Sequence, residues 1–173
     1  IATAGDSAYV TGNTGSTDFP VKNQNQFKGT LSGLTDAFVV FLNMDNLNNP
    51  PQPPCELNTV TYNDCDDVIW STYLGGDSFD VGHGIFSDSG DTYVTGQTCS
   101  APVPSPINGF PVTSNAFDKS MKGSCDAFVT ILTYQYPNPM LLLDYSTYLG
   151  GMGWDRGNAI IADPAGGVLV TGE

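Results

Sequence analysis

Short apolar runs closed by glycine recur along the whole chain. Residues 1–4 and 8–11 form a first pair about a turn at Gly5-Asp6, and Tyr9-Val10-Thr11 carries the aromatic and β-branched side chains that suit a pleated surface. A polar loop over 13–33 follows, with Phe19 and Phe27 as its apolar anchors. Residues 37–42 are apolar almost without a break, the pattern of a strand covered on both faces. Residues 68–74 make a fourth strand, closed by Gly75-Gly76. The order then repeats, with strands over 84–87, 92–95, 127–132 and 142–149, and again over 159–162 and 168–171. No stretch holds a helical period over about 11 residues or more, so the chain reads as all-β.

The phrases repeat as well as the pattern. Trp70-Ser71-Thr72-Tyr73-Leu74-Gly75-Gly76 returns as Tyr145-Ser146-Thr147-Tyr148-Leu149-Gly150-Gly151. Asp36-Ala37-Phe38-Val39 returns as Asp126-Ala127-Phe128-Val129, Phe19-Pro20-Val21 as Phe110-Pro111-Val112, and Val10-Thr11-Gly12 at Val94 and Val170. A fixed order of short phrases is the mark of a repeat architecture. It divides the chain into a first repeat over 1–84, a second over 85–158 and the first two strands of a third over 159–173. The first repeat carries an insertion over 43–67 whose Asn-Asn-Pro-Pro-Gln-Pro-Pro core predicts a stiff surface loop.

As a set, Ser-Thr-Tyr-Leu-Gly-Gly, Asp-Ala-Phe-Val and Tyr-Val-Thr-Gly resemble the bacterial beta-propeller repeats known as the SBBP family. The resemblance implies one four-stranded antiparallel blade per repeat, on secreted or surface-attached proteins, and implies no catalytic site. Two and a half such blades fall short of the about 4–8 of a closed propeller. A blade buries its faces only against neighbours. The expectation is therefore an open array, or one completed by neighbouring copies joined head to tail through terminal strands. The chain opens on Ile1, which suggests a processed protein or a segment of a longer one.

Charge narrows the partners. Five Lys and Arg against 18 Asp and Glu give a net charge of −13, which repels phosphate backbones and anionic membrane surfaces. No apolar run approaches the about 20 residues that span a bilayer as a helix. Nucleic-acid binding and membrane insertion are not expected.

Four cysteines allow three pairings. Cys99 and Cys125 flank the loop of the second repeat, and their aligned positions in the first, Gly15 and Thr35, both lack cysteine. Both present in one copy and both absent from the other predicts a disulfide. Cys55 and Cys65 lie inside the insertion and would then close it on itself. Pairing without zinc-ligand spacing points to an oxidising, extracellular setting.

Candidate chemistry is sparse. His83 is the single histidine, and its aligned residue is Asn158, so the architecture does not require imidazole. Asp77, Asp80, Asp88 and Asp91 lie about a Gly-rich stretch; they read either as turn formers or as a weak calcium site. Asp36 and Asp126 each precede an apolar strand and read as turn residues. Trp154, aligned with Phe79, is the best single candidate for a ligand contact, with packing as the plainer reading. No cofactor motif is present. The expectation is a non-enzymatic extracellular structural protein, a subunit of a surface fibre or large adhesin that contacts itself and extracellular polysaccharide. The rivals are a carbohydrate-binding propeller and a fragment of a secreted propeller hydrolase or lyase.

Overall fold

The computed structural model describes residues 1–22, 27–44, 67–102, 109–135 and 140–173. Ten strands follow in chain order: β1 (Ala2–Ala4), β2 (Ser7–Thr14), β3 (Asp36–Asn43), β4 (Val68–Leu74), β5 (Asp80–Asp88), β6 (Asp91–Thr98), β7 (Asp126–Gln135), β8 (Met140–Leu149), β9 (Gly157–Asp163) and β10 (Gly167–Gly172). Among the described residues there is no helix. Strands β1–β4 form one antiparallel meander and β5–β8 a second, while β9 and β10 make a two-stranded third sheet; none closes on itself. Each expected strand is present. Several are longer than the sequence implied, and β5 extends back to Asp80 because a register shift between Gly82 and Gly84 lets pairing with β6 continue past His83.

The sheets sit against one another in series. β5 lies against β1, β2 and β3, and β9 lies against β5, β6 and β7. The same glycine contact makes both approaches. A Cβ on Gly82 of β5 would collide with Thr11 Oγ1, and one on Gly157 of β9 would collide with Thr95 Oγ1. Each threonine is fixed by donating across its own sheet, Thr11 to the Phe38 carbonyl at 2.8 Å and Thr95 to the Phe128 carbonyl at 2.6 Å. The threonine of the Thr-Gly phrase thus meets a bare glycine of the next sheet, while the phrase's own Gly12 and Gly96 lie against Phe38 and the Val81 carbonyl within their own sheets.

Aromatic ladders supply the apolar core. Tyr9, Phe41 and Trp70 stand opposite one another on β2, β3 and β4, and Tyr134 of β7 packs edge-on to Phe41 and tilted on Trp70. Trp70, Tyr73, Phe128, Leu132 and Tyr148 are fully buried. Two parallel bridges, Thr35 with Phe79 and Cys125 with Trp154, tie the approach to β3 and β7 to the approach to the next sheet.

Candidate functional site

The repeated Ser-Thr-Tyr phrase is a clasp. In the first repeat Ser71 Oγ donates to the Pro20 carbonyl at 2.5 Å and accepts from Lys22 N at 2.7 Å. Thr72 Oγ1 accepts from Lys28 N and donates to the Lys28 carbonyl, and Tyr73 Oη donates to the Ser16 carbonyl at 2.7 Å. In the second, Thr147 Oγ1 does the same for both backbone groups of Asp118, and Tyr148 Oη donates to the Ser100 carbonyl at 2.8 Å. Three hydroxyls of β4 in the first repeat, and two of β8 in the second, thus hold the long loop that precedes the third strand, Ser146 Oγ being paired instead with Thr130 Oγ1 at 2.9 Å. Tyr73 and Tyr148 are fully buried, and their hydroxyls add this loop-holding role. Burial pushes the Tyr148 phenol far above its ordinary value, with Asp80, Asp126 and Asp77 nearby adding to the shift, so it stays a donor.

Around Gly75 the structure assembles a group that the sequence reading had dispersed. Asp36, at the start of β3, and Asp80, at the start of β5, are both fully buried. A Cβ on Gly75 would stand 2.8 Å from Asp36 Oδ1 and 2.7 Å from Asp80 Oδ2, so the two carboxylates share the space that a side chain would fill. Lys28 reaches in from the loop, with only 14 % of its side chain exposed, and donates to Asp36 Oδ2 at 2.8 Å and to the Gly75 carbonyl at 2.6 Å. Asp80 Oδ2 accepts from Gly76 N at 2.7 Å and Ser100 Oγ at 2.8 Å. Asp36 Oδ1 and Asp80 Oδ1 have no hydrogen-bond partner among the described residues. Burial raises the Asp80 carboxyl above the usual range and Asp36 adds to the rise, against the lowering effect of Thr98, Gly76 and Ser100.

The corresponding place in the second repeat is built differently. Asp126 takes Lys122 N on Oδ2 and Gly123 N on Oδ1, both at 3.0 Å, so both oxygens are satisfied. Asp118 stands where the first repeat has Lys28, and binds the exposed Lys122 at 2.5 Å. A Cys99–Cys125 disulfide ties the base of that loop, as the paired presence of the two cysteines predicted. Cys55 and Cys65 lie outside the described residues.

The four aspartates proposed for calcium do not converge. Asp80 and Asp88 occupy opposite ends of the nine-residue strand β5, about 26 Å apart at roughly 3.3 Å per residue. Asp88 and Asp91 face each other at the β5–β6 turn, where Asp88 Oδ1 accepts from Ser89 Oγ and Asp91 Oδ1 from Thr133 Oγ1; Asp77 is exposed beyond the other end. Among the described residues no three His, Cys, Asp or Glu side chains are grouped to hold a metal ion. His83 is exposed at the β5 irregularity, and its imidazole is held below the ordinary value by partial burial and by Arg156. Trp154 is 71 % exposed and Phe79 50 %, each following the Gly-Gly turn of its repeat. Lys28 was the residue that sequence reasoning missed, because its aligned partner is an aspartate and no phrase marks it.

No described helix is long and apolar enough to cross a membrane. Comparison with protein-family models returned no match, and neither did comparison with curated proteins.

Proposed function

We propose that the chain is a non-enzymatic structural protein of SBBP-type propeller blades, exported to an oxidising extracellular setting, that builds a fibre or large adhesin by associating head to tail. The observation that carries this reading is the repeated junction, Gly82 on Thr11 and then Gly157 on Thr95, which makes each sheet the platform for the next. The Tyr9–Phe41–Trp70 ladder is covered by Tyr134, whereas the equivalent Tyr93–Ile131–Tyr145 ladder stays partly open, and β9 and β10 present Ile161 and Leu169 as an exposed cross-strand pair. Surfaces of this kind gain from a neighbour. The Cys99–Cys125 disulfide suits export. Electron microscopy with sedimentation of the purified chain tests the reading: fibres that Leu169→Asp disperses support it, and a stable monomer at all concentrations sinks it.

One observation favours a second reading, a carbohydrate-binding module. Phe79 and Trp154 are exposed aromatics at equivalent positions, which a sugar-stacking surface requires. Quenching of Trp154 fluorescence by an extracellular polysaccharide, abolished in Trp154→Ala, would favour it over assembly.

A further inference from the structure

The cluster about Gly75 holds the reactants of an amide condensation. An amine, the carboxyl it would acylate and a second carboxyl lie together about Gly75, with both carboxylates fully buried. Lys28 Nζ is 2.8 Å from Asp36 Oδ2, which holds the amine beside the carboxyl group that it would attack. Asp36 Oδ1 accepts from nothing, although its counterpart in Asp126 accepts from Gly123 N. It borders the same Gly75 space as Asp80 Oδ2. We propose that Lys28 and Asp36 become joined by an intramolecular isopeptide bond, with Asp80 as the acid that activates the Asp36 carboxyl.

The step balances without any co-reactant. In the water-poor pocket the Lys28 ammonium passes one proton to Asp36 Oδ2 along the existing hydrogen bond, leaving an amine and a carboxylic acid. The Nζ lone pair attacks Cγ and forms the C–N bond, while the Asp80 O–H donates to Oδ1 and stabilises the negative charge developing there. The Cγ–Oδ2 bond then breaks. Oδ2 leaves as water, taking the second proton from nitrogen, and Asp80 keeps its own. The remaining amide N–H can still donate to the Gly75 carbonyl, which Lys28 already meets at 2.6 Å. Burial raises the Asp80 carboxyl above the usual range, the direction this role requires.

The second repeat supplies an independent reason. There a covalent tie, Cys99–Cys125, already fastens the loop, and the position of Lys28 is an aspartate. The first repeat has Gly15 and Thr35 in place of the cysteines, and the lysine in place of the aspartate. Each copy would then carry one covalent lock of its own chemistry. This inference does not depend on the assembly reading.

Intact-mass measurement of the folded, reduced chain decides it. The expected result is a mass lower than the sequence mass by one water, with proteolysis yielding a branched peptide in which Lys28 is linked to Asp36. Lys28→Arg and Asp36→Ala should restore the full mass, and Asp80→Asn should slow bond formation by about 10²-fold or more. A wild-type chain at full sequence mass overturns the bond. So does a water loss that persists in Lys28→Arg, which would place the dehydration elsewhere. Bond formation at the wild-type rate in Asp80→Asn overturns the role given to Asp80.

Discussion

The two complete repeats share one clasp and differ in what backs it up. In both, hydroxyls from the Ser-Thr-Tyr phrase hold a long loop against the outermost strand. The first then relies on a buried ion pair between Lys28 and Asp36, the second on the Cys99–Cys125 disulfide and two backbone amides that saturate Asp126. The difference shows which part the architecture demands. The clasp is common to both; the reinforcement need only be present, and its chemistry is free to change.

The contrast can be broken most forcefully at Lys28. Lys28→Met leaves Asp36 buried without its cation and should destabilise the fold by about 3–5 kcal/mol in chemical denaturation. Lys122→Met removes the exposed pair with Asp118 and should shift the denaturation midpoint by no measurable amount. Reduction of Cys99–Cys125 should lower stability by about 2–4 kcal/mol. Grafting the tie onto the first repeat with Gly15→Cys and Thr35→Cys should recover part of that, since a Cβ on Gly15 would stand 3.8 Å from Thr35 Cγ2. A loss of stability in the oxidised graft would mean that the two loops are not geometrically equivalent.

The shared element should respond alike in both copies. Tyr73→Phe and Tyr148→Phe each remove one hydroxyl donated to a loop carbonyl and should each cost about 1 kcal/mol in the same assay. Markedly unequal losses would argue against a common clasp. Asp80 adds a pH signature at the first junction only. Its folded pKa is raised above the about 3.9 of an unfolded aspartate. Its contribution is therefore fully present below that value and is lost as pH rises through the folded pKa. Thermal melts should show Tm falling over that window in the wild type, and Asp80→Asn should remove the fall.

The strand order was legible because glycine closes short runs of β-branched, aromatic and other apolar residues, and because every phrase appears at least twice. The Cys99–Cys125 pairing could be read from two substitutions that occur together. The Gly75 cluster was not legible, for a physical reason. Asp36, Gly75 and Asp80 lie on three different segments, and only the packing of the second sheet on the first brings the carboxylates together. Local sequence gave each aspartate a sufficient turn role, and Asp36 does accept from Ser32 N at 3.2 Å. The reverse holds for Asp80 and Asp88, which are close in sequence and are set apart by the length of an extended strand.

The clasp grips mainly main-chain atoms of the loop: the carbonyl of Pro20, both polar groups of Lys28 and both of Asp118. A fastening that ignores side-chain identity makes the held segment interchangeable wherever, unlike Lys28, its side chains have no second task. New peptide sequences could be mounted there, one after another, while the sheets beneath went on meeting their neighbours unchanged.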